Sequence, residues 1–189
     1  GVHLWLAPAF NIHRSILCGR NFEYYSEDPL VSGKVAAAIT RGVQKHKGCG
    51  TTIKHFACNN KETNRKHSDS RVSERALREI YLKAFEIVVK EAAPYTIMSS
   101  YNAINGERAS ESRDLLTGIL REEWGFEGMV TSDWWTRGEH YKELNAGNDL
   151  KMGNGFPDRL KAADEKGVLD RRQLKISAER IIKTILKFD

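Results

Sequence analysis

The sequence predicts an α/β fold organised on a parallel sheet, and two observations carry that prediction. Short apolar runs of strand length alternate with amphipathic stretches of helical period, in the order strand, loop, helix, which implies parallel strands joined by right-handed crossovers. Four of the five strand-like runs also end in charged or hydrogen-bonding side chains, as strands do when their C-terminal ends build a site.

The first strand is His3-Leu4-Trp5-Leu6-Ala7-Pro8, stopped at Pro8 because proline removes a backbone donor and restricts the residue before it. A long loop, residues 9–28, follows and is crowded with Asn11, His13, Arg14, Arg20, Asn21, Glu23, Tyr24 and Tyr25; loops of that length inside compact domains are usually functional. Asp28-Pro29 supplies a cap and a first-turn proline for a helix running through Val35, Ile39 and Val43 to about Lys47, ended by Gly48 and Gly50. Thr51 to Phe56 is the second strand, exiting at Lys54 and His55 into a polar loop with Asn59, Asn60, Glu62, Asn64 and Arg65. Leu77, Ile80, Tyr81, Ala84, Phe85 and Val88 mark one face of the next helix. Tyr95 to Tyr101 is the third strand, and Asn105-Gly106 is a turn. A helix with Leu115, Leu116, Ile119, Leu120 and Trp124 stops at Gly125. Met129-Val130-Thr131 forms the fourth strand, a helix spans about Arg137 to Asn145, and Gly147 to Met152 reads as a fifth strand. Phe156 to Lys166 is helical, and Asp170-x-x-Gln173 is a capping box for a last helix with Leu174, Ala178, Ile181, Ile182 and Ile185 on one face.

At 189 residues the chain suffices for a single domain with a proper core, whereas a whole (β/α)8 barrel typically needs about 250. A net charge of +5 raises nucleic acid as a partner, but acids are interspersed and most charges fall on helical faces such as Arg71 to Lys90, so a solvated surface is expected instead. No apolar run approaches the roughly 18 residues of a membrane span, so nothing is expected to span a bilayer and no membrane partner is expected. Cys18, Cys49 and Cys58 are odd in number and irregular in spacing, so no disulfide framework or zinc motif is expected and a reducing, cytoplasmic compartment is favoured. Gly1-Val2-His3-Leu4 lacks the features of a signal peptide.

The stretch Gly128 to Trp135 is the centre of the functional reading. Asp133 sits at a strand exit, where a carboxylate is costly to bury unless it is paired or working, and Trp134 and Trp135 offer flat apolar faces. The alternative at this point is that Asp133 caps the next helix and the indoles are core. Arg20, Lys54, His55, Tyr101, Asp133 and Trp134 together form an inventory suited to a carbohydrate, whose hydroxyls want several charged hydrogen-bonding groups and an aromatic platform. For Lys54-His55 the competing reading is one side chain in and one out at a strand end. His55, Cys58 and His67 suit a metal by residue type, but their spacing fits no familiar zinc pattern, so no metal and no other cofactor is expected.

Asn11-Ile12-His13-Arg14, the run from Cys18 to Pro29, the run from Lys54 to Glu62, and Ser132-Asp133-Trp134-Trp135 resemble successive signatures of glycoside hydrolase family 3, the β-glucosidase and β-xylosidase family, over the whole chain. That resemblance implies a partial (β/α)8 TIM-type barrel, from the third barrel strand to the last helix, without the first two strand-helix units. It also implies that Asp133 is the nucleophile, that Arg20, Lys54, His55 and Tyr101 hold the sugar, and that Trp134 flanks the ring. Ser15-Ile16 and Gly153 depart from the common family pattern, both in loops. The reaction implied is retaining hydrolysis of a terminal β-linked glucose or similar sugar by double displacement, with Arg20 and Lys54 helping to keep Asp133 ionised. The acid/base is expected from a C-terminal α/β sandwich domain, which with the missing barrel segment would be this chain's partner; self-association through open sheet edges is the expectation for the chain alone. His67-Ser68-Asp69-Ser70 echoes the β-N-acetylglucosaminidase branch, but Ala57-Cys58-Asn59-Asn60 stands where that branch has its Pro-Gly-His-Gly signature. A catalytically silent carbohydrate-binding fragment is the reading from another class.

Overall fold

The computed structural model describes residues 1–153 and 155–188. Its main sheet has four parallel strands in sequential order, β1 (Leu4–Trp5), β2 (Gly50–Phe56), β4 (Thr96–Ser99) and β7 (Met129–Ser132). Helical segments return the chain from each strand to the start of the next, the arrangement expected of a stretch of (β/α)8-type barrel wall. Leu4 lies opposite Gly50, Thr52 opposite Thr96, and Ser99 opposite Ser132. The predicted fifth strand contracts to a single bridge between Leu150 and Thr131. The first strand is likewise shorter than expected, because the chain turns after Trp5, the Ala7 amide donating to the Trp5 carbonyl at 2.8 Å. A small second sheet joins β3 (Asp69–Ser70) to the hairpin of β5 (Ala103–Ile104) and β6 (Glu107–Arg108) across the Asn105-Gly106 turn.

Helix α1 (Pro29–Gln44) starts as its sequence requires, with the Asp28 carboxylate accepting from the amides of Leu30 at 2.7 Å and Val31 at 3.4 Å. The segment after β3 is one continuous rod in three parts: α2 (Glu74–Ala76), a wide turn at Leu77–Tyr81, and α3 (Lys83–Ala92). The amide of Leu82 reaches back five residues to the Leu77 carbonyl at 2.8 Å, and this extra residue per turn rotates the apolar face, leaving Ile80 39 % exposed while Leu77, Ala84, Phe85 and Val88 are buried. Helices α1 and α3 approach closely at Gly33, where a Cβ would meet Ile87 at 2.9 Å and the Ala84 backbone at 3.1 Å. The helix Asp114–Glu123 is also wide-turned, and Leu116 and Leu120 are fully buried. Phe10, Phe56 and Phe85 form the aromatic centre of the core, with ring centres 4.5 and 5.2 Å apart. Ile53, Ile97 and Val130 deliver three neighbouring strands to it.

After β7 come α4 (His140–Ala146), α5 (Pro157–Glu165) and α6 (Arg171–Ile185). The last helix packs the opposite way from its predicted orientation. Gln173, Ser177 and Thr184 are buried, whereas Ile182 and Ile185 are each 57 % exposed and Leu174 is 38 % exposed. The reason is Asp149: its carboxylate accepts from Ser177 at 2.8 Å and Arg180 at 3.1 Å on α6, from Arg121 at 2.8 Å, and from the Val130 amide at 2.9 Å. A buried carboxylate needs those donors, so the polar side of α6 turns inward. The capping box is also only half formed: Asp170 caps the amides of Arg172 and Gln173, but the Gln173 side chain donates to Ser177 instead of returning to Asp170. Among the described residues no helix is long and apolar enough to cross a membrane.

Candidate active site

The sheet ladder continues past the ends of the strands and gathers their exits. Phe10 donates to the Lys54 carbonyl at 3.1 Å, Ser100 to Phe56 at 2.7 Å, and Asp133 to Ser99 at 3.1 Å, so the residues after β1, β2, β4 and β7 are held side by side. The register of β2 on β4 shifts between Ile53 and Phe56, which breaks strict alternation. Lys54 and His55, adjacent in sequence, therefore both feel the Asp133 carboxylate, and the reading of one in and one out does not hold. Asn11 fixes this turn of chain: its side chain donates to the His55 carbonyl and accepts from the His55 amide, both at 3.0 Å.

Asp133 is 6 % exposed and does not cap a helix, since α4 begins beyond Glu139. Its Oδ1 accepts from the Trp134 amide at 2.7 Å, while Oδ2 is buried without a hydrogen-bond partner and lies 3.7 Å from His55 Nε2. The histidine cannot satisfy it, because Arg20 Nη1 donates to that same nitrogen at 2.6 Å. Burial, with Arg20, Lys54 and Arg65 around it, pushes His55 well below its ordinary pKa, which favours the neutral ring that can accept from the Arg20 guanidinium. Burial also lowers Lys54, against the attraction of Glu23 and Asp133. For Asp133 itself burial dominates and raises the carboxyl above its ordinary range, although Arg65 and Arg20 pull it down. Arg20 thus acts in the expected direction, favouring the ionised carboxylate, but it only softens a desolvation cost that remains larger. The Tyr101 hydroxyl donates to the Trp134 carbonyl and is pushed up to about 12, by burial first and then by the Asp133 charge.

Residues 1–184 match the sequence pattern of the glycosyl hydrolase family 3 N terminal domain. The chain belongs to glycosyl hydrolase family 3. Among its relatives in this family it is 65% identical over 170 residues to beta-glucosidase A of Butyrivibrio fibrisolvens, covering 90% of this chain and 20% of that protein. It is 48% identical over 183 residues to an exo-alpha-(1->6)-L-arabinopyranosidase of Bifidobacterium longum, covering 96% of this chain and 24% of that protein. Beta-glucosidase 3B from Thermotoga neapolitana, solved in complex with glucose, superposes with a TM-score of 0.95 at 48% identity over 99% of this chain and 27% of that one. The chain therefore spans between a fifth and a quarter of the length of these curated relatives.

Within this family-3 chain all six sequence-predicted residues, Arg20, Lys54, His55, Tyr101, Asp133 and Trp134, meet at the sheet's C-terminal edge. Sequence reasoning missed Arg65 as a member of the cluster. Its guanidinium lies 4.6 Å from the centre of the Tyr101 ring, bonds Glu62 at 3.1 Å, and lowers the Asp133 carboxyl more than Arg20 does. Glu62 in turn faces Arg20 at 3.7 Å, and Glu23 faces Arg20 at 3.4 Å, so these two acids orient the cations. The one available signal was the density of polar residues in the loop after His55. His67 and Asp69 have local work instead: His67 contacts Arg137 at 2.8 Å, and Asp69 accepts from the Gly106 amide at 2.9 Å.

The loop from Asp133 to Gly138 is anchored from below. Lys151 Nζ donates to Thr136 Oγ1 at 2.9 Å, to the Gly138 carbonyl at 3.2 Å and to Glu143 at 2.5 Å, and both charged side chains are essentially sequestered from solvent. Ser110 completes the Glu143 carboxylate at 2.9 Å.

Proposed function

We propose that the protein carrying this chain is a retaining β-glycosidase that hydrolyses a terminal β-linked glucose or a similar pyranose, with Asp133 as nucleophile. The observation that carries the reading is the Asp133 carboxylate: one oxygen is tied to the Trp134 amide, and the other is buried, unpartnered and ringed by Arg20, His55 and Arg65. Leaving a buried acceptor unsatisfied costs about 1–3 kcal/mol, a cost that bond formation to a bound substrate would relieve. In the proposed reaction Oδ2 attacks the anomeric carbon as the glycosidic C–O bond breaks, and the leaving oxygen takes a proton from a second group. Water then attacks the same carbon, gives its proton to that group, and releases Asp133 as a carboxylate. Retaining enzymes need the proton donor about 5–5.5 Å from the nucleophile. Glu23 and Glu62 are engaged with arginines, so we assign the donor to a residue outside positions 1–189, in the sandwich domain that the family resemblance implies.

Arg20, Lys54, His55 and Tyr101 hold the sugar in this reading, Tyr101 also anchoring the Trp134 carbonyl beside the nucleophile, and Trp134, half-buried, flanks the ring. The names of the relatives support a glycosidase and leave the sugar open, since one is an arabinopyranosidase and others are β-glucosidases. The reaction requires no metal or organic cofactor. The test is covalent trapping in the full-length protein. After reaction with a 2-fluoro β-glucoside, mass spectrometry of the peptides is expected to find the sugar on the peptide that contains Asp133; a label on another carboxylate overturns the assignment.

A further inference from the structure

We propose that Trp135 and Lys66 form the leaving-group side of the site and select flat leaving groups that carry negative charge. The inference rests on the glycosidase reading above and adds to it the class of aglycone. Trp135 follows Asp133 by two residues, yet its indole is 57 % exposed. It is not a loose side chain: its backbone is in the left-handed region at φ 53°, its amide donates to the Met152 carbonyl at 3.2 Å, and its ring lies against Gly153, where a Cβ would come within 2.7 Å of Cδ1 and Nε1. A bulky residue adopts that conformation only where its surroundings impose it, so the exposed indole is held in a fixed position two residues from the carboxylate.

The loop from the second strand runs directly opposite. Arg65 covers the Tyr101 ring at 4.6 Å, Lys66 Nζ lies 5.0 Å from the Tyr101 ring centre and 5.9 Å from that of Trp135, and His67 meets Arg137 at 2.8 Å. Three consecutive residues of one loop thus line up with the aromatic and basic residues that follow Asp133. Arg65 is neutralised by Glu62, whereas among the described residues neither Lys66 nor Arg137 has a carboxylate partner. An exposed indole with the Lys66 ammonium over its ring is complementary to a planar ring bearing a carboxylate, which can rest on the indole and place its charge at the ammonium.

The experiment uses the full-length protein and three β-D-glucosides: 4-carboxyphenyl, its neutral methyl ester, and methyl. Differences in leaving-group chemistry cancel when each variant is compared with wild type on the same substrates. Lys66→Met is expected to lower the ratio of kcat/KM for the carboxyphenyl glucoside over its ester by about fivefold, the scale of a part-exposed ion pair. Trp135→Ala is expected to lower the ratio of either aryl glucoside over methyl glucoside by about tenfold, with Trp135→Phe recovering most of the loss. Unchanged ratios, or equal loss on all three substrates, overturn the inference and leave the glycosidase reading standing. A wild-type protein that cleaves none of the three overturns both.

Discussion

Burial raises the Asp133 carboxyl above the ordinary carboxylate range even though Arg65 and Arg20 oppose it, so the charge that makes it a nucleophile is held at a cost to the fold. The sign follows from linkage. Because the folded-state pKa is raised, the stability that Asp133 contributes is fully present below its unfolded pKa and is lost as pH rises through the folded value. At neutral pH, Asp133→Asn in the full-length protein is therefore expected to abolish turnover while raising the melting temperature, and the gap over wild type should close as pH falls below the ordinary carboxylate range. Calorimetry across pH checks this, and a variant less stable than wild type at neutral pH would contradict the desolvation argument. In wild type the acid limb of kcat/KM should also lie above the pH at which an exposed aspartate titrates.

Among the elements, the short loop between β7 and α4 carries the most specific engineering, since Asp133 and both indoles hang from it. Its support is the Glu143–Lys151 pair, 0 % and 2 % exposed, which grips Thr136 and Gly138. Removing one member of a buried pair strands the other charge, so Lys151→Met is expected to destabilise by about 3–5 kcal/mol. The double variant Glu143→Gln/Lys151→Met leaves no charge behind and should be more stable than the single one. Thermal unfolding of wild type, single and double variants decides the matter; a double variant as unstable as the single would mean that packing, not charge, is what Lys151 provides.

At the scale of the whole molecule, four parallel strands leave β1 and the Leu150 bridge as open sheet edges, where a closed barrel of eight has none. Near them lie exposed apolar side chains: Trp5, Leu30, Val31 and Val35 on one side, Ile182, Ile185 and Leu186 on the other. Residues 1–189 prepared alone are expected to self-associate, read as a light-scattering mass above 21.5 kDa. Without the proposed external proton donor, general acid catalysis worth about 10²–10⁴ in rate is lost, so residual hydrolysis should favour nitrophenyl glycosides over cellobiose. A stable monomer that cleaves cellobiose efficiently would overturn both expectations.

The alternation of strands and helices, the Asp28 cap, the turn at Asn105-Gly106 and the six residues that the fold gathers at one end of the sheet were legible in the chain, because strand exits and local signatures are written in contiguous residues. Which of those residues feel one another depends on contacts across the fold. Arg65 lies far from Asp133 in sequence, and nothing local says that its guanidinium covers Tyr101 or that burial outweighs it at the carboxylate. The same holds for α6, whose apolar stripe predicted an inward face and was overruled by Asp149, a buried carboxylate drawing Ser177 and Arg180 toward it. Periodicity reports which side of a helix is apolar, whereas orientation is set by whatever unsatisfied charge the rest of the fold presents to it.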